Sequence, residues 1–221
     1  MSFAGFSPET FAFYDALVAD NTKRFWDEHK ATYRDKVKAP LIDLCATFPE
    51  YGTFHVFRPN RDVRFSKEKI PYKTHAGAYA ETEGGGGYYV QVSAAGMFAG
   101  AGYYSLASDQ LERCRRAVDD ETTGPNLVMV VDSLRRIGLT VSSFSTLKTA
   151  PRGWPKDHPR IELLRMRGIH AGRDWKPTAW MRSAKARGRV AEVFAGVAPL
   201  CDWMDRHVGP SQLPPEESRW G

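Results

Sequence analysis

Cysteine is scarce in this chain: there are three among 221 residues, and Cys45, Cys114 and Cys201 lie far apart. An odd, dispersed set excludes a disulfide framework and supplies no C-x-x-C pair for zinc or thiol exchange, so free buried thiols and a reducing, cytoplasmic setting are expected. Long apolar runs are lacking as well. The longest, Leu127 to Val131, is far too short to cross a bilayer, and the opening Met-Ser-Phe-Ala-Gly-Phe-Ser-Pro has neither the cationic nor the apolar stretch of a secretory leader. No membrane partner is expected. The sequence also lacks G-x-x-x-x-G-K-[ST], H-E-x-x-H, G-x-S-x-G and an EF-hand loop. The six histidines are too scattered to form a metal cage, so neither metal nor cofactor is expected. Gly84 to Gly87 are followed by no lysine and no helix to supply amide donors, and read as a hairpin tip rather than a phosphate loop.

What the chain has is positive charge in two places. Its net charge is +5, with a hydrophobic content of 42% that is ordinary for a globular protein. Residues 58 to 73 hold Arg58, Arg61, Arg64, Lys67, Lys69 and Lys73 against only Asp62 and Glu68, a net +4. Residues 152 to 189 hold a net +8, and the remainder of the chain sums to −7. Separated basic segments on an otherwise acidic chain produce a directed field that steers anions, unless acidic helices elsewhere pair with them.

Local signals place an α+β domain over residues 1 to 208, with an antiparallel meander in the middle of the chain and helices at both ends. Ser7, Pro8 and Glu9 mark a helix start, and that helix ends near Asp20. From about Thr22 a second apolar stripe runs through Phe25, His29, Tyr33, Val37, Leu41, Leu44, Cys45 and Phe48, with a kink or break expected at Pro40. Strands are expected from Thr53 to Tyr104. Tyr88, Val90 and Val92 alternate with Tyr89, Gln91 and Ser93, and Gly100 and Gly102 leave a bare patch that a helix, a loop or a ligand would approach, a helix being the commoner reason. Ser108 should cap one helix, and Pro125 and Gly138 should bracket another. A loop with a short helix then covers 150 to 165, and a last long helix reaches Met204 through Pro199. Residues 209 to 221 have the composition of a disordered tail. The acidic run Asp119-Asp120-Glu121 reads as solvated.

The first basic segment carries the best candidate site. Arginine presents a planar fork of donors that matches phosphate or carboxylate and does not lose its proton at physiological pH. Arg58, Arg61 and Arg64, supported by Lys67, Lys69 and Lys73, are therefore candidate ligands for an anion, with Ser66 and Tyr72 as neutral donors and Asp62 as the carboxylate that orients one guanidinium. An anionic small molecule is the expected partner. The same cations would serve an enzyme acting on a phosphoester or ester, with Asp62 or His75 moving the proton. A salt-bridge network that binds nothing is the plain structural account. The second segment, Arg152, Lys156, Arg160, Arg165, Arg167, Lys176, Arg182, Lys185, Arg187 and Arg189 with Trp154, Trp175 and Trp180 interleaved, has the mix that single-stranded nucleic acid requires. It also fits an acidic-protein interaction module or a solvated helix. His158 is a candidate acid or base, with a structural role at the start of the next helix as its alternative, and His29 reads as a core histidine.

The stretch Arg58 to Tyr72 resembles the R-x-x-R-D-x-R-F signature, followed by a lysine and a tyrosine, of the DUF2461 family. Phe6 to Thr10, Asn21 to Trp26, Pro71 to His75, Tyr88-Tyr89, Pro151 to Trp154 and Asp157 to Pro159 are similar as well, so the likeness spans roughly Phe6 to Met204. Glu68 departs from the pattern, which has a shorter Asp or Asn there. The resemblance implies membership and assigns no reaction.

Overall fold

The computed structural model describes residues 3–62, 64 and 70–214. Its centre is an antiparallel sheet of β1 (His55–Val56), β2 (His75–Glu81), β3 (Gly87–Ser93), β4 (Gly96–Tyr103), β5 (Thr140–Ser142) and β6 (Ile169–Trp175), in the order β1-β2-β3-β4-β6-β5. Alternation decides which side faces the helices. Ala76, Ala78, Ala80, Tyr88, Val90, Val92, Met97, Ala99, Ala101, Tyr103, Ile169 and Ala171 all belong to the core side and are buried. Alanine at so many of these positions lets helices approach closely.

Helices precede and follow the meander, so the expected α+β architecture is what forms. At the N-terminus, α1 (Pro8–Ala19) starts after Ser7 with Pro8 in its first turn, as the sequence indicates. In α2 (Lys23–Thr32), the Thr22 hydroxyl accepts from the Phe25 amide at 3.2 Å. The expected break at Pro40 takes another form. Pro40 has no N–H for the carbonyl of Lys36, four residues back, and its ring would crowd that oxygen. The backbone instead widens into a π-helical turn over Tyr33–Lys38, where the Ala39 amide reaches Arg34, before α3 (Ala39–Cys45) resumes the α-helix. The Lys36 carbonyl receives the hydroxyl of Thr10 from α1 at 2.5 Å, and Thr10 is fully buried.

The C-terminal half adds α4 (Ser108–Asp119), α5 (Thr123–Arg136), α6 (Ile161–Arg165) and α7 (Lys185–His207). Along α7, Val190, Val193, Phe194, Val197, Leu200, Cys201 and Met204 are buried at helical spacing, and the helix crosses β4. The Phe194 ring meets Tyr88 at 5.1 Å and Phe48 at 5.3 Å, joining α7 to the sheet and to the end of α3. Burying a side chain of this size stabilises by about 1.5–3 kcal/mol. All three cysteines are free and buried, and burial pushes each thiol up to about 12, which removes them as nucleophiles. No helix among the described residues is long and apolar enough to cross a membrane.

Several expectations need correction. Ser108 is the first helical residue rather than the cap, and the Gln110 side chain instead accepts from the Ala107 amide at 3.0 Å. The α5 helix begins at Thr123, ahead of Pro125, because the Asp120 carboxylate accepts from the Thr122 and Thr123 amides, each at 2.8 Å. Gly138 does close it, at φ +77°. The acidic run is exposed, as expected, and also serves as a joint between α4 and α5. At Gly100 the approach comes from the strand itself and not from a helix: a Cβ there would stand 2.8 Å from the ring of Phe98, two residues earlier. Residues 209–212, placed by composition in the tail, are tied to α4. Gly209 O accepts from Gln110, Pro210 O from Arg113, and the Gln212 amide donates to Asp109. Residues 215–221 of that tail lie outside the described residues.

Thr10→Val keeps the shape and removes the donor to Lys36 O, leaving a buried carbonyl unpaired. We expect a loss of about 1–3 kcal/mol in urea unfolding. A change below a few tenths would show that the hydroxyl is not what accommodates Pro40.

Candidate functional site

The basic segment is the far end of the β1–β2 hairpin, continued past the regular strands. The Phe57 amide donates to Gly77 O at 2.9 Å, the Lys73 amide to Pro59 O at 2.7 Å and the Arg61 amide to Pro71 O at 2.8 Å, while Asn60 and Tyr72 form an isolated bridge. Pro59 and Pro71 lack donors and occur where the ladder turns irregular, as edge prolines do. The extension is held from below by the aromatic helices at the N-terminus. Asn21, just ahead of α2, donates through Nδ2 to Tyr72 O and accepts from the Tyr72 amide, both at 3.0 Å, so that its amide stands in for a neighbouring strand. The Tyr72 ring stacks on Trp26 at 4.4 Å with planes 11° apart. Tyr72 is therefore a buried anchor, and its side chain belongs to the base of the hairpin rather than to the ligand surface.

Above that base, Arg58, Asn60, Arg61, Asp62 and Arg64 line one open depression of about 390 Å³. Arg58, Arg61 and Arg64 are thus brought to one depression. Asp62 clasps Arg64 with both carboxylate oxygens, at 3.0 Å and 3.1 Å from Nε and 2.5 Å from Nη2, and also accepts the Arg64 amide. These hydrogen bonds hold the Asp62 carboxyl at about 2 and raise Arg64. A carboxylate with so low a pKa is a poor proton acceptor near neutrality, so the geometry suits Asp62 to orienting its neighbour and not to proton transfer. Arg58 and Arg61 have no ion pair among the described residues. Ser66, Lys67 and Lys69, the other candidates in this stretch of sequence, lie outside the described residues.

Lys73 and His75 complete the cationic side. The Lys73 ammonium stands 5.2 Å from the centroid of the Phe57 ring, and burial together with Arg58 lowers its pKa. His75 opens β2, and burial, then Lys73, then Arg61 push its imidazole below its ordinary value. Burial and these two cations, with no carboxylate among the causes, favour its neutral form.

The second basic segment is built differently. Arg160 is buried, and donates through Nε to Val118 O at 2.6 Å and through Nη2 to Asp119 O at 2.7 Å and to Glu121 at 2.8 Å, closing the C-terminus of α4. Arg165 reaches Leu147 O and Glu162, Arg187 lies over Phe48 and reaches Thr47 O just past α3, and Arg189 pairs with Glu192. Trp154 is faced by Arg115, while Trp175 and Trp180 meet edge to face at 5.5 Å. These contacts join elements of the fold, and they leave no continuous stripe of free cations and open rings. The remaining members, Arg152, Lys156, Arg167, Lys176, Arg182 and Lys185, are exposed. His158 has the role at the start of a helix: its Nδ1 accepts from the Arg160 amide at 3.0 Å, which leaves Nε2–H to donate to Asp119 at 3.0 Å. His29 is half-buried, stacked on Phe25 and bonded to its carbonyl. Sequence reasoning missed Asn21 and Trp26 as parts of the site, although both lie in the stretch that resembles the family opening.

The class these features define is an α+β protein with an arginine-rich hairpin at one edge of its sheet, clamped by an aromatic helical pair. The family model described as a conserved hypothetical protein, DUF2461, matches residues 9–203, and the chain belongs to that family. No curated protein matches it. Among the described residues, no group of three or more His, Cys, Asp and Glu side chains is placed to hold a metal ion.

Asn21→Ala removes both bonds to Tyr72. It should cost about 1–3 kcal/mol and accelerate hydrogen exchange at the Tyr72 amide. Unchanged protection at Tyr72 would show that the clamp does not hold the hairpin.

Proposed function

We propose that the protein binds a phosphate-bearing or other anionic ligand in the depression formed by Arg58, Arg61 and Arg64, with Lys73 beside it. The observation that carries this reading is the incomplete neutralisation of the site. Three guanidinium groups line it, one carboxylate answers one of them, and no other ion pair among the described residues engages Arg58 or Arg61. Like charges held together gain from a bound anion, and arginine forks give it paired, charge-assisted hydrogen bonds. Asp62 fixes Arg64 in place so that less freedom is lost on binding.

Titration calorimetry with pyrophosphate tests the reading. Arg58→Ala and Arg61→Ala should each weaken binding about tenfold or more, since each removes a charge-assisted contact. The wild-type affinity should fall with added salt. Absence of binding at low ionic strength would overturn the reading.

His75 supplies a second readout. Its pKa is depressed partly by Lys73 and Arg61, so a bound anion should raise it toward the ordinary value. By linkage, binding then tightens as pH falls through the His75 titration. Sulfate, which keeps its charge from about pH 5 to pH 8, isolates this effect, and NMR of the imidazole protons should show an upward shift on sulfate addition. No shift at saturating sulfate would separate His75 from the site. An enzyme acting on a phosphoester or ester is the alternative, and the neutral imidazole of His75 beside the cations is the observation that favours it. Turnover in a phosphoester and ester screen, lost in His75→Gln with pyrophosphate binding retained, would establish that alternative.

A further inference from the structure

The sheet face turned away from the helices carries a row of rings. Phe57, Tyr79, Tyr89 and Phe98 project to this side, and none of them belongs to the core or packs against it. Phe57 lies 6.3 Å from Tyr89 and 6.5 Å from Tyr79, and Tyr89 lies 6.1 Å from Phe98. Glycine makes the row possible. A Cβ at Gly77 would stand 2.3 Å from the Tyr89 hydroxyl, one at Gly87 2.2 Å from the Tyr79 ring, and one at Gly172 2.4 Å from the Phe98 ring. Rings that near the glycine backbone lie across the sheet and remain partly exposed. The hydroxyls of both tyrosines are already engaged, Tyr79 with Gly86 O at 2.9 Å and Tyr89 with Gln91 Oε1 at 2.7 Å, so the surface offers aromatic faces more than donors.

One end of the row meets the cations. Phe57 is 39% exposed, precedes Arg58 in the chain, and has Lys73 Nζ over its ring. His75, on the same face, is near enough to Lys73 and Arg61 for both to lower its pKa. The far end has the opposite sign: Asp174 pairs across strands with Phe98 and shares its face. A polyanion laid along the row would bring phosphates toward a carboxylate. A compact ligand with its charge at the Phe57 end would not.

We propose that the aromatic row and the adjoining cations form one site for an anion that carries a planar conjugated ring, a ligand of the mononucleotide class. The ring packs against Phe57 and Tyr89, whose planes are tilted 46° apart, and its phosphates meet Arg58, Arg61 and Lys73. This rests on the anion site proposed above and adds the recognition of the ring. Stacking of a base on an aromatic side chain is tolerant of base identity, so selectivity for a particular base is not expected from these residues.

The test compares pyrophosphate, adenosine 5′-diphosphate and adenosine by calorimetry on the full chain. The diphosphate nucleoside should bind about tenfold or more tighter than pyrophosphate, and adenosine alone weakly. In Phe57→Leu the nucleotide should fall to the level of pyrophosphate measured on the same variant, while Phe57→Tyr should keep the difference. Phe98→Leu, at the far end, should have a smaller effect. Circular dichroism on each variant shows whether it has folded. Equal affinity of nucleotide and pyrophosphate in the wild type, or a difference that survives in Phe57→Leu, overturns the ring site and leaves the anion site standing. Failure of every phosphate compound to bind overturns both. A short single-stranded oligonucleotide bound more than tenfold tighter than the nucleotide would make the ligand a strand and overturn the mononucleotide class.

Discussion

The centre of this sheet has very little side-chain bulk, and both of its surfaces follow from that. On one side, alanines at 76, 78, 80, 99, 101 and 171 are buried and let helices settle close to the strands. On the other, Gly77, Gly87, Gly100 and Gly172 provide floor space on which Tyr89, Tyr79 and Phe98 lie down. Glycine inside strands costs conformational entropy and removes packing. Here the covering rings restore the lost contact, much as an aromatic laid across a strand glycine does in designed sheets. A residue as large as valine at Gly100 or Gly172 would displace the Phe98 ring, so the helix face and the open face are coupled through the same backbone.

Arginine does two different jobs in the molecule. Arg187 reaches past the end of α3, Arg160 closes α4, Arg173 reaches Ile137 O and Gly138 O behind α5, Arg115 donates to Leu164 O in α6, and Arg113 reaches Val208 O and Pro210 O behind α7. Each places a cation where helix carbonyls are left without partners and the dipole is negative. Much of the positive charge in the second half of the chain is thereby spent inside the fold. Among the described residues Arg58 and Arg61 are given no such carbonyl, and that contrast singles out the hairpin more firmly than charge density does.

The legible parts were those where a local period or a local cap decides the conformation. The helical stripes of α2, α5 and α7, the alternation in β3, and the hairpin tip at Gly84 to Gly87 all read directly from spacing. The missed parts were those where a distant partner decides. Ile169 to Trp175 falls inside the basic segment and drew no strand assignment, because its strand character comes from pairing with β4 on one side and β5 on the other. Asp119 and Glu121 are exposed as their composition suggests, but nothing local shows that His158 and Arg160, about forty residues on, are brought against them. Tyr72 looks like a donor to ligand until Asn21 and Trp26 close on it.

Composition and spacing by themselves determined the α+β class, the faces of the longer helices, the family resemblance and the segment in which arginines gather, because each of these is written within one or two turns of chain. Tertiary structure alone decided which cations are tied into the fold and which line the depression. A guanidinium reads the same in sequence whether it caps a helix, is clasped by a carboxylate or lines a depression, and only the position of acceptors from remote segments tells these states apart.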